Sequence, residues 1–248
     1  MPPDRLGHVE HVNVHSQQRT PWVVGVSGAS GTPYAAAVLR GLLAAGESVD
    51  LVVSRASRLT LLDETGIAFR DAHWQDDLRA WLARGADGKP DAFEVSTEGV
   101  RHWAAGDLAA GPSSGSYPVK GMLIVPASTA CVAGVALGLS KDLLQRAASV
   151  TLKERRKLVV AVRETPLNGQ TLKHLVTLDE AGAVVLPASP AFYAGATHIQ
   201  DLVDFVAGRV LDAAGVPHGL YRRWEGEIGR GSPLAERGRD LGGGSRRG

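Results

Sequence analysis

A single cysteine, Cys131, stands in 248 residues. That count excludes an internal disulfide and a multi-cysteine metal site, and it fits a reducing, cytoplasmic setting. No apolar run reaches the roughly 18 residues that a membrane-crossing helix needs. The first 20 residues are polar, with several His and Gln, and lack the apolar core of a signal peptide. No dense run of Lys and Arg is present either. The 27 basic residues balance 26 acidic ones to a formal charge of +1, which gives no sign of a nucleic-acid face. The expectation is an intracellular protein that meets neither nucleic acid nor membrane.

What is there alternates. Short apolar runs at Pro21–Ser27, Val49–Ser54, Gly121–Ser128, Lys157–Thr165 and Ala183–Ala188 read as five strands. Helical stretches at Thr32–Ala45, Ala56–Thr65, Ala130–Leu139, Lys141–Arg156, Gln170–Ala181 and His198–Ala214 separate or follow them. Continuous apolar strands between helices predict an α/β fold, a three-layer, mostly parallel doubly wound sheet of the Rossmann-like or flavodoxin-like kind. The expected layout is one domain over 21–225 between disordered tails at 1–20 and 226–248. Residues 71–118 interrupt the rhythm and read as a partly ordered insertion, with one helix at Asp76–Arg84.

Ligands of such sheets bind at the carboxyl ends of the strands, and five segments are assigned there. Ser27–Gly31 is small enough for close backbone approach, and the helix start after it would offer free N–H groups to an anion. A plain tight turn uses the same residues. Its spacing is not GxGxxG, which argues against NAD. Ser128 and Thr129 either cap the next helix or reach a flavin, and Cys131 reads as a buried small residue. Leu152–Arg156 places cations at a helix end, where they suit either the helix dipole or a ligand. Arg163 and Glu164 end a very apolar strand. That placement suits a guanidinium gripping phosphate and a carboxylate exchanging protons, and a structural ion pair is the other reading. Phe192 and Tyr193 follow the last strand, where the Tyr hydroxyl would suit an allylic phosphate.

Taken in order, GVSGASG, LVVSRAS, PAST, LKERR, VRETP, PAFY and FVAGRVL resemble the UbiX-type flavin prenyltransferases, over roughly Val23 to Trp224. The resemblance implies a metal-independent enzyme that joins the dimethylallyl group of dimethylallyl monophosphate to N5 and C6 of reduced FMN. The product would serve a UbiD-type decarboxylase. It also implies a homo-oligomer, trimer to dodecamer, with active sites at subunit interfaces. Carried onto this sequence, it assigns FMN contacts to Gly28, Ala29, Ser30, Ser54, Ser128, Thr129, Ala130, Cys131 and Arg163. The allylic phosphate falls to Lys153, Arg163, Tyr193 and Arg209. Glu164, Lys153 and Ser30 are the catalytic candidates, with Glu64 and Arg146 near the site or its interface. Ser114–Ser116 would lie over the prenyl pocket, and Trp224 would cover it. Ala127 stands where the family often has Cys, and Ala194 where a His is common. The competing readings are a cysteine-type FMN decarboxylase, disfavoured because no His occurs in Thr32–Leu43, and a non-catalytic FMN-binding accessory subunit.

Overall fold

The computed structural model describes residues 19–91, 93 and 96–224; the tails, apart from Arg19 and Thr20, lie outside the described residues. Six strands are present: β1 (Trp22–Val26), β2 (Val49–Val53), β3 (Val100–Ala104), β4 (Gly121–Ala127), β5 (Lys157–Val162) and β6 (Val184–Pro187). Every pairing is parallel, in the order β3-β2-β1-β4-β5-β6. Doubly wound dinucleotide-binding sheets share this order, and its direction reverses between β1 and β4. The helices are α1 (Thr32–Ala44), α2 (Arg55–Thr65), α3 (Trp74–Leu82), α4 (Thr129–Ala136), α5 (Leu143–Lys153), α6 (Gly169–Glu180) and α7 (Ile199–Ala214).

The continuous apolar strands bury both faces. Val24, Val26, Leu51, Val53, Leu123 and Val125 join α1, α3 and α7 in one core layer. Val23, Val52, Met122, Ile124, Leu158 and Val160 join α4 and α5 in the other. Helix starts follow from the sequence: Ser54, Ser128, Asp142 and Asn168 each accept a hydrogen bond from the backbone N–H three residues on. Among the described residues, no helix is long and apolar enough to cross a membrane.

The span read as an insertion differs from expectation. It supplies α3, and its Val100–Ala104 pairs with β2 as the edge strand β3. The sheet therefore has six strands where the apolar runs gave five. Arg19, placed in the disordered tail by the sequence reading, is tied down. It pairs with the fully buried Asp50 and donates to the carbonyls of Val49 and Gly99 at 2.6 and 3.1 Å.

Candidate active site

The loop after β1 sits at the reversal of strand order and is stitched to the end of β4. Ser27 Oγ donates to the Pro126 carbonyl at 2.9 Å and accepts from Ser128 N–H at 2.7 Å. Gly28 is small because α2 presses on it: a Cβ there would lie 2.4 Å from Ala56 Cβ. Gly31 has φ 110° at the start of α1, in the left-handed region that favours glycine. The free N–H groups expected there are taken. Glu64, from α2, accepts from Gly31 N–H at 2.9 Å, Thr32 N–H at 2.8 Å and Thr32 Oγ1 at 2.6 Å. Burial alone would raise its carboxyl pKa; the donors from Thr32, Ser30 and Gly31 outweigh it and hold the group below its ordinary value. The anion at this helix start is the protein's own.

Two clefts flank the loop. The first, about 230 Å³, is lined by Gly28, Ser54, Ser128, Ala130 and Cys131 from the expected flavin set, with Arg55, Asp142 and Gln145 added. The starts of α2 and α4 both open onto it, so two positive helix ends and the exposed Arg55 suit a phosphate, while the small residues leave room for a flat ring. These residues fit FMN. Ala29 is buried, and Thr129 is the first residue of α4. Burial pushes the Cys131 thiol up to about 12, so it packs rather than reacts. Arg55, Asp142 and Gln145 were missed, although Arg55 follows Ser54 directly and Asp142 carries a helix-capping pattern.

The second cleft, about 460 Å³, joins Ser30, Tyr34, Glu64 and Arg163 to an apolar wall that includes Pro33, Ile199 and Leu202. Of the expected flavin set, Ser30 and Arg163 thus line this second cleft and not the first. The Arg163 Nε is buried and has no hydrogen-bond partner among the described residues, a cation with an unspent donor. Tyr34 also opens here: burial raises its hydroxyl pKa, Arg163 opposes that and Glu64 adds to it, so the group remains a donor. Glu164 lines a smaller adjoining cavity of about 260 Å³ with Arg163, Leu167 and Leu175.

Residues of the supposed insertion form part of the second cleft's wall. Ala86 and Asp87 line it, and Ala86 N–H donates to Gln200 Oε1 at 2.9 Å. Gly88, at φ 75°, lets this turn close on α2: a Cβ there would sit 2.4 Å from the Glu64 carbonyl. Gly88→Ala should therefore cost about 1–3 kcal/mol, read in a thermal melt. A loss below about 0.5 kcal/mol, the scatter of ordinary surface changes, would contradict the docking of this turn.

One assignment needs correction. Leu152–Arg156 directly precedes β5, so it lies at the amino end of the sheet, six residues or about 20 Å from Arg163. There Lys153 pairs with Glu154 beside Gly115, where a Cβ would lie 2.7 Å from Lys153 Nζ. Arg156 holds this Ser114–Ser116 loop through the carbonyls of Gly115 and Tyr117, and Arg146 holds it through that of Ser113. Arg209 lies ten residues along α7, beside the edge strand β6. Tyr193 follows β6 and meets Trp224 edge-on at 5.7 Å. Within one chain, Lys153 and Arg163 do not meet.

A family pattern described as Flavoprotein matches residues 10–211. The flavin prenyltransferase UbiX of Streptomyces coelicolor is 87% identical over 213 residues, covering 86% of this chain and 99% of that protein. Its counterpart from Synechocystis is 40% identical over 217 residues, 83% of this chain and 96% of that one. A crystal structure of UbiX in complex with FMN and dimethylallyl pyrophosphate superimposes with TM-score 0.71 at 34% identity, covering 85% of this chain and all of that one. A dodecameric FMN-dependent UbiX-like decarboxylase from Escherichia coli O157:H7 gives TM-score 0.69 at 32% identity, over 84% of this chain and all of that one. The chain belongs to the flavoprotein family and, within it, to the UbiX flavin prenyltransferases.

Proposed function

We propose that this chain joins the dimethylallyl group of dimethylallyl monophosphate to N5 and C6 of reduced FMN, releasing inorganic phosphate. The observation that carries this is the pair of clefts on one loop. Storing a flavin needs only the first, with its two helix ends; the second adds an unpaired Arg163 Nε beside an apolar wall, which suits a phosphate with a hydrocarbon tail. Reduced FMN, when bound, supplies the electron-rich ring that accepts the allyl group. Arg163 stabilises the departing phosphate as it takes the electron pair of the C–O bond, the work a metal ion does elsewhere. Ser30 orients that phosphate from the loop, and Glu164 accepts and returns a proton at its carboxylate. The cysteine-type decarboxylase reading lacks its base, since no His lies in α1.

Lys153, with Ser114–Ser116 and Arg146, forms a second surface at the amino end of the sheet. A homo-oligomer would bring that surface of one copy to the Arg163 cleft of another. The dodecameric relative supports such an assembly. Arg209 and Tyr193 complete the phosphate set from α7 and the loop after β6. A cytoplasmic site of action and a UbiD-type decarboxylase as recipient follow from the same reading.

The test is phosphate release from dimethylallyl monophosphate that depends on reduced FMN, in mixed assemblies. Arg163→Ala and Lys153→Ala should each be inactive alone. Co-assembled in equal amounts, they should recover about a quarter of the wild-type sites, because each shared site then draws an intact half from both sides with even chance. No recovery in a mixed oligomer would place Lys153 outside the shared site. Phosphate release that ignores FMN would overturn the transferase reading.

A further inference from the structure

Asp212, in the last turn of α7, gathers four donors on one carboxylate. Arg209 Nη1 donates to Oδ2 at 3.0 Å, and the Tyr221 hydroxyl donates to the same oxygen at 2.5 Å. His218 Nε2 and Arg223 Nη2 donate to Oδ1 at 3.0 and 2.7 Å. Three of these donors lie beyond the helix, on the segment 216–224, which turns back at Gly215 with φ 82°. Gly208 makes room for that return, since a Cβ there would lie 2.5 Å from the Tyr221 ring and 2.7 Å from the His218 ring. From Tyr221 a ladder of rings runs to the carboxyl end of the sheet. Tyr221 meets Phe205 at 4.9 Å, Phe205 meets Tyr193 at 5.8 Å, and Tyr193 meets Trp224 at 5.7 Å.

We propose that Asp212 is a positioning residue, whose carboxylate fixes the returning segment 216–224 and, through it, holds Arg209 and the Tyr193–Trp224 pair in place for the allylic phosphate. The proposal rests on the reading above that Arg209 and Tyr193 receive that phosphate. Charge and geometry agree with it. Burial would raise the Asp212 carboxyl pKa, yet Arg223, Tyr221 and His218 bring it down to about 2, so the anchor stays charged at any working pH. One carboxylate facing two guanidinium groups leaves the cluster cationic. Among the described residues Arg209 uses only Nη1 in its hydrogen bonds, which leaves the donors on Nη2 and Nε for a phosphate. The flavin cleft is built on β1, β2 and β4 and shares no residue with this cluster.

The experiment compares wild type, Asp212→Ala, Asp212→Asn and Arg209→Ala as full chains with FMN present. Asp212→Ala should raise the KM for dimethylallyl monophosphate about tenfold, the worth of one hydrogen bond to a charged group, while FMN affinity stays within about twofold. Trypsin should cut Asp212→Ala faster than wild type after Arg222 and Arg223, read by mass spectrometry. Asp212→Asn, which keeps one acceptor oxygen, should recover part of both losses. Faster cutting with an unchanged donor KM would reduce Asp212 to a structural role and overturn the proposal. So would a rise in donor KM matched by an equal loss of FMN affinity, or cutting at the wild-type rate. If Arg209→Ala leaves the donor KM unchanged, it is the assignment of Arg209 to the phosphate that fails, and the cutting rates still judge the anchor.

Discussion

Arg163→Met should lower kcat/KM for the allylic phosphate by about 10²–10³-fold, the range seen when one preorganised donor to a developing negative charge is removed. The melting temperature should stay level or rise. Both halves come from one fact: Arg163 extends from the end of β5 into the larger cleft, and its buried Nε has no partner among the described residues. A buried donor left unmatched costs free energy in the resting protein, and an apolar side chain of similar length removes that cost. Binding of FMN alone should change little, because Arg163 does not line the smaller cleft. Steady-state kinetics with a thermal melt on the same preparation checks this. A variant that loses stability and flavin affinity together would show that Arg163 holds the fold or the flavin instead.

Asp50→Ala should destabilise the protein by about 3–5 kcal/mol, the usual result of removing one member of a buried charged pair. For a domain of this size that is a fall of roughly 10 °C in melting temperature. Asp50 is wholly buried near the start of β2, where a carboxylate needs both of its oxygens engaged. Arg19 engages one, and the Tyr117 hydroxyl donates to the other at 2.8 Å. Removing the carboxylate takes the acceptor from the Tyr117 hydroxyl and from Arg19 Nη1. It also loosens the entry of the chain into β1 and the run into β4, at the end of the sheet away from the clefts. Tyr117→Phe should cost much less, about 1 kcal/mol, since Arg19 still satisfies the charge. Equal losses for the two variants would contradict this account of the pair.

The sheet was legible because its central strands are unbroken apolar runs with helices between them, and burial on both faces is what such runs demand. β3 escaped notice for the opposite reason. Val100–Ala104 is a five-residue edge strand in which Arg101 is exposed and His102 sits half-buried between Phe69 and Trp74, so neither alternation nor a continuous apolar run announces it. Ser54 and Ser128 could be placed because a hydroxyl between a strand and a helix is both a cap and a lining residue. Glu64 could be placed only by resemblance, since its bond to Gly31 spans 33 residues and no local pattern foretells it. Lys153 shows a reading that topology itself corrects. A residue just before a parallel strand belongs to the amino end of the sheet, and the order helix, Lys153, β5 already contained that fact. The Asp212 cluster was invisible because three of its four donors reach it from a segment with no periodic pattern.

The central claim is tested most directly by incubating the full chain without oxygen with reduced FMN and dimethylallyl monophosphate, then weighing the flavin by mass spectrometry. The account predicts a flavin heavier by one C5H8 unit, formed by the wild type and formed far more slowly by Arg163→Met. A flavin that binds tightly yet leaves unmodified would contradict it.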